Sequence, residues 1–209
     1  MKEKRFFELL GFSVMVLTTA GLTAYASPTP LNGDFSAGLT DWNLEYGTVT
    51  DGGGFALFQE HATSLSSTLS QEFTIPALAL ELSFDLVMSA AGTPDPSAWA
   101  DAFTASLLDP VTLDPLIYNP GYTEFYYLDN TGLEQTVATV SGNTIALDIS
   151  GLRGLNAFLS FDLWASYDGM DTSVNLDNVN ISLIPAPGAL LLALMGTGAV
   201  GLWRRLRPR

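Results

Sequence analysis

His61 is the single histidine of this 209-residue chain, and cysteine is absent. Thiol nucleophiles, thiolate ligands and multi-histidine metal sites are therefore excluded, and a histidine-based triad has one ring to draw on. Aspartate and glutamate number 22. Two carboxylates suffice for glycoside hydrolysis, but among so many no pair is singled out. Gly52-Gly53-Gly54 reads as a hairpin turn rather than a phosphate-cradling loop. The expectation is a protein without catalysis. The other chemical signal is aromatic. Five of the ten residues Tyr118–Tyr127 are aromatic, Trp99 stands in the loop Pro94–Asp101, and Trp164 takes the outward phase of its segment. Such rings either present flat faces to a ligand or cap the ends of a core.

The elements that carry these residues read as strands. Leu80, Leu82, Phe84, Leu86 and Met88 alternate with Glu81, Ser83, Asp85 and Val87, the period of two of a half-buried strand. The same pattern runs through Leu69–Ile75, Phe103–Leu107, Ile145–Ile149 and Leu159–Leu163. Further strands are expected near Trp42–Val49, Phe55–Gln59, Thr123–Leu128 and Ser173–Leu183. Turn clusters separate them, among them Pro94-Asp95-Pro96, Asn119-Pro120-Gly121 and Ser141-Gly142-Asn143. Nine or ten short strands, each with one apolar face, predict an all-β fold: an antiparallel two-sheet β-sandwich.

The two ends differ from this body. Met1–Ala26 has Lys2, Lys4 and Arg5, an apolar stretch Leu9–Leu22, then Ala24-Tyr25-Ala26. This is the plan of a signal peptide cut before Ser27, a signal helix at the N-terminus. At the other end, Ile184-Pro185-Ala186-Pro187 precedes the uncharged run Gly188–Trp203 and the basic tail 204–209. Sixteen residues make a helix of about 24 Å, against a hydrocarbon core of ~30 Å, so a transmembrane helix over 188–203 needs local thinning of the bilayer. Arginines after it keep the tail cytoplasmic and the body outside. The expected parts are a signal peptide (1–26), a β-sandwich domain (27–183) and an anchor segment (184–209).

Charge follows the same division. Seven of the eight Lys and Arg residues lie in the two ends, leaving Arg153 in the body beside 20 acids, a net charge of about −19. Such a surface repels nucleic acid and attracts cations. Solubility outside the cell and divalent-metal binding both account for it.

The proline motif, apolar helix and terminal arginines together resemble the PEP-CTERM sorting signal of Gram-negative bacteria. The resemblance implies recognition by an exosortase-type sorting protease at Pro185, Ala186, Pro187, Arg204, Arg205 and Arg207, then release to the cell surface or extracellular matrix. Ala186 stands where that motif has glutamate. A second resemblance lies in the body. Asn32-Gly33-Asp34-Phe35-Ser36-Ala37-Gly38-Leu39-Thr40-Asp41-Trp42 and Leu176-Asp177-Asn178-Val179 are similar to the opening and closing motifs of jelly-roll domains related to carbohydrate-binding modules of families 4 and 9.

The jelly-roll resemblance implies that the first and last strands lie side by side with a structural calcium between them, at Asn32, Asp34 and Asp177. A change of strand phase at Asp177-Asn178 adds an independent expectation of a β-bulge there, and a bulge frees carbonyls of the kind calcium takes. Sugar binding in such sandwiches uses exposed rings, for which Trp99, Tyr122, Tyr126 and Trp164 are the candidates; Trp42 is assigned to the core. Two functions remain open. One is a structural or interaction role at the cell surface, delivered by the tail. The other is recognition of extracellular polysaccharide.

Overall fold

The computed structural model describes residues 30–60, 64–93, 95, 97–166 and 170–184. The expected signal peptide, the motif at Pro185, Ala186 and Pro187, the span over 188–203, the tail arginines and His61 lie outside the described residues. Among the described residues no helix is long and apolar enough to cross a membrane.

Twelve strands form two antiparallel six-stranded sheets. The first sheet runs, in spatial order, β1 (Asn43–Tyr46), β4 (Ser66–Thr74), β11 (Asn156–Trp164), β6 (Ala102–Leu108), β7 (Tyr126–Asp129) and β8 (Glu134–Thr136). The second runs β2 (Thr48–Asp51), β3 (Ala56–Gln59), β12 (Met170–Leu183), β5 (Ala79–Gly92), β10 (Thr144–Asp148) and β9 (Thr139–Ser141). One 3-10 turn, Ser150–Leu152, follows β10. The alternation noted in the sequence is the cause of the layering. Leu159, Phe161 and Leu163 point inward from β11, and Leu82, Phe84 and Leu86 from β5, so the two apolar faces close on each other.

Aromatic edges knit the layers. Phe161 lies 5.1 Å from Phe84 across the sandwich and 6.0 Å from Trp42, while Phe58 meets Phe103 edge-on at 5.7 Å. Each such pair adds about 0.5–1.5 kcal/mol beyond the area it buries. With no cysteine present, this core carries the stability of the domain.

The structure departs from the sequence reading in four places. The expected strand Trp42–Val49 is two strands in different sheets, because Gly47 turns the chain from one to the other at φ +66°, with Ser67 where a Cβ would stand. Leu80, counted as an inward residue, is 39% exposed. Ser182 pairs with Glu81 and Leu183 with Ala79, so Leu80 is the extra residue of a bulge and Ala79 takes the buried place. The short strands β8 and β9 carry no apolar alternation that could announce them. Finally, the first strand β1 pairs with β4, not with the last strand β12.

Contact with β12 is made instead by the segment before β1. Gly33 lies against the bulge at Asp177-Asn178, where the register with β5 slips and Asn178 adopts φ +53°. Val179 N–H donates to the Gly33 carbonyl at 2.8 Å. The Asn32 carboxamide folds the same segment over: Nδ2 donates to the carbonyls of Gly38 and Thr40, both at 2.8 Å, and Oδ1 accepts from Ala37 N–H. Phe35 and Trp42 pack beneath it, ring centroids 5.5 Å apart and planes tilted by 31°, and the indole N–H donates to the Asn32 carbonyl. The two motifs singled out at opposite ends of the body are thus halves of one structural joint.

Candidate functional site

The outward face of the first sheet differs from an ordinary solvated surface. Across β4, β11, β6 and β7 the outward residues fall in cross-strand rows set by register. Ser70, Ser160 and Ser106 form one row. Thr68, Asp162, Thr104 and Tyr127 form the next. Ser66, Trp164 and Ala102 form the third. The serines of the first row and both threonines are buried although they face away from the core. Small hydroxyl side chains between larger neighbours make a polar floor.

Asp162 is at the centre of this floor. Its Oδ1 accepts from Thr68 Oγ1 at 2.5 Å and its Oδ2 from Ser160 Oγ at 2.8 Å. Burial pushes its carboxyl above the usual range, against the two hydroxyl bonds, and the charges of Glu45 and Glu124 push the same way. Glu45, on edge strand β1, accepts from Ser70 Oγ at 2.7 Å. Three carboxylates therefore share one face.

At the Trp164 end the floor opens into a cavity of about 590 Å³ lined by Trp99, Tyr122, Tyr127, Trp164, Thr104 and Glu124, among others. Trp164 is 52% and Trp99 86% exposed. Tyr122 lies in the turn closed by Tyr122 N–H to the Asn119 carbonyl, and Asn119 Nδ2 donates to Glu124 O. The Trp99 wall is tied down from below. Asp101, fully buried, accepts from Ser166 N–H and from Thr172 Oγ1, both at 2.6 Å, and Ser166 Oγ donates to the Trp99 carbonyl. Burial raises the Tyr127 hydroxyl above its ordinary range, with the charge of Asp129 next in weight.

Three of the four ring candidates, Trp99, Tyr122 and Trp164, are brought to this one cavity. Tyr126 is not among them. Its partner across the sheet is Ala105, an inward residue, so the ring points into the core and meets Phe84 edge-on at 6.0 Å. Tyr127, paired with Thr104, occupies the outward place. In the run Phe125-Tyr126-Tyr127 every position is aromatic, so no period betrays the phase; the register with β6 decides it.

The candidate calcium ligands each carry bonds to the protein's own groups, Asp177 Oδ1 accepting from Asn178 N–H at 2.6 Å. Asn32 spends its carboxamide on the loop as described. Asp34 Oδ1 accepts from Ser36 N–H and Oγ, bonds that hold its carboxyl below the usual range. Asn32 and Asp34 line one hollow on the second sheet, with Asp85 and Asn178, while Asp177 lines another, with Asp85 and Asn143. Asp85 and Asp177 face each other across β5 and β12, but Asp85 already accepts from Thr144 Oγ1 at 2.5 Å and from Asn178 Nδ2 at 2.8 Å. Among the described residues no group of three or more His, Cys, Asp or Glu is placed to hold a metal.

No protein-family model and no curated protein matches the chain. Solved structures similar to it include a family 61 carbohydrate-binding module in complex with β-1,4-galactotriose, 11% identical over 76% of this chain and 100% of that one, with a TM-score of 0.43. A family 4 carbohydrate-binding module is 12% identical over 73% and 98% of the two chains, at 0.42. A family 27 module of Caldicellulosiruptor saccharolyticus in complex with mannohexaose is 14% identical over 78% and 100%, at 0.37. With so little identity and such modest scores, these likenesses do not say what this chain binds. That question rests on its own residues.

Proposed function

We propose that the domain binds polysaccharide at the outward face of the first sheet and performs no chemistry on it. The observation that carries this reading is the cavity where Trp99, Tyr122, Tyr127 and Trp164 stand beside a hydroxyl floor. A sugar ring offers one apolar face and a rim of hydroxyls. An aromatic wall next to serine, threonine and carboxylate oxygens matches both, and pockets with a few convergent polar groups are the usual form of a small-ligand site. The carboxylate of Asp162, already bonded by two hydroxyls, serves here as an acceptor for sugar hydroxyls at the floor. The sequence ends would export the domain and hold it at the cell surface, where polysaccharide is met; delivery by the tail is part of the proposal.

The test is binding of the purified protein to a panel of soluble polysaccharides by affinity electrophoresis, with Trp164→Ala beside it. Trp164 is exposed, so its loss should leave the melting temperature unchanged. Truncating a ring that anchors a ligand costs about 2 kcal/mol, or roughly 30-fold in Kd. A panel without any bound glycan, or a variant that binds as the wild type does, overturns the reading.

A further inference from the structure

We propose that the cavity selects sugars carrying a free amino group, the ammonium being held by the Glu124 carboxylate and the ring faces around it. The inference rests on polysaccharide binding at that cavity and names the ligand class.

Three observations on the page lead to it. First, the cavity pairs four rings with one acid, Glu124. Ring faces are negative and attract cations. A carboxylate beside them supplies the counter-charge, so the combination suits an ammonium better than a neutral acetamide. Glu124 lines that cavity, and its Oε2 accepts from the Thr123 N–H at 3.1 Å. Second, the negative charge continues along the floor. Asp162 is one row from Trp164, and the charges of both Glu124 and Glu45 reach it. Third, nothing offsets that charge. Among the described residues the one Lys or Arg is Arg153, and its Nε donates to the Ala79 carbonyl at 2.6 Å, at the start of β5 in the other sheet. A uronate or sulfate in the cavity would meet the Glu124 carboxylate and, among the described residues, no cation. An amine would bring the missing positive charge.

The body's general acidity attracts any polycation, so the test must separate the cavity from the surface. The probes are short β-1,4-linked glucosamine oligomers, their fully N-acetylated counterparts, glucose oligomers of the same linkage and galacturonate oligomers. Binding is measured by calorimetry at moderate salt and mildly acidic pH, where the sugar amine is charged. The glucosamine oligomer should bind about tenfold tighter than its acetylated counterpart, and galacturonate should not bind. Raising the pH through the titration of the sugar amine should erase the preference. Glu124→Gln should collapse the ratio of the two affinities towards one. Glu81→Gln, on the exposed face of the other sheet, should leave that ratio as it is in the wild type.

If neutral oligomers bind and the amine-bearing ones bind no tighter, this inference falls while polysaccharide binding stands. If Glu81→Gln lowers the ratio as much as Glu124→Gln does, the preference belongs to overall charge and the inference falls. If no oligomer of any charge binds, both fall together.

Discussion

Replacing Gly33 by alanine isolates the joint between the opening loop and the last strand. A Cβ at that position would stand 1.8 Å from the Val179 carbonyl oxygen and 2.8 Å from its carbon. The obstacle is backbone, so no side chain can rotate away. An ordinary contact needs a retreat of more than about 1 Å, and the strand that must move is β12, which pairs with both β3 and β5. Forcing a buried backbone apart costs about 1–3 kcal/mol. The retreat also breaks the 2.8 Å bond from Val179 N–H to the Gly33 carbonyl, a further loss of about 1 kcal/mol. The sum is about 2–4 kcal/mol, which lowers the melting temperature by roughly 4–16 °C at about 2–4 °C per kcal/mol.

The control is Gly151→Ala. No atom stands within 4 Å of that Cβ, and Gly151 has no positive φ, so the change should be neutral or stabilise by a few tenths of a kcal/mol through the unfolded chain. Both variants are compared with the wild type by calorimetric melting. Equal midpoints for all three would refute the argument that close approach, not loop flexibility, is what requires glycine at 33.

Asp162→Asn should stabilise the protein at neutral pH. Burial raises the folded carboxyl above its ordinary value of 3.8. The folded state therefore holds its proton where the unfolded chain has lost it, and stability falls as pH rises from about the unfolded value through the folded one. The amide keeps an acceptor for Thr68 and removes that fall, so urea midpoints of the variant should exceed the wild type at neutral pH and converge with it in acid; a less stable variant with an unchanged pH slope would count against the assignment. Calcium should raise the melting temperature no more than sodium does at matched ionic strength, because screening of the acidic surface is then the shared cause. A calcium excess abolished by Asp177→Ala would establish a metal site there.

Much of the architecture was legible because apolar alternation and burial are the same fact seen twice. Leu159, Phe161 and Leu163 had to face a core, and so did Ile145, Leu147 and Ile149. The phase change at Asp177-Asn178 was legible for the same reason, since Leu176 and Val179 are both buried and cannot be so on a regular strand. What escaped was whatever the partner strand decides. Leu80 fits its own strand's period and is displaced by a bulge against β12. Tyr126 and Tyr127 are equivalent in sequence and opposite in the sheet. The roles of Asn32 and Asp34 escaped for a different reason. An oxygen ligand and a turn-forming oxygen are the same atom in sequence, and the bonds from the Ala37 and Ser36 N–H groups appear only in the fold.

The outer face of the first sheet poses a problem that stability alone does not solve. Folding favours tryptophan inside, as with Trp42. Yet Trp99 and Trp164 both face out, and both line the same cavity. Beside them a carboxylate sits half-buried, where desolvation works against its charge and two like charges add to the cost. The buried Asp101 that accepts from Ser166 and Thr172 adds a third such expense, because it fixes the Trp99 wall by way of Ser166 rather than filling the core. Each of these features, taken singly, is an ordinary irregularity of a β-sandwich. Their convergence on one end of one face means that the same few strands bear apolar exposure, buried charge and a braced loop at once. On the proposed function, a ligand that covers the rings and bonds the Asp162 carboxylate would offset the first two of these costs, while Asp101 stays beneath the wall it braces.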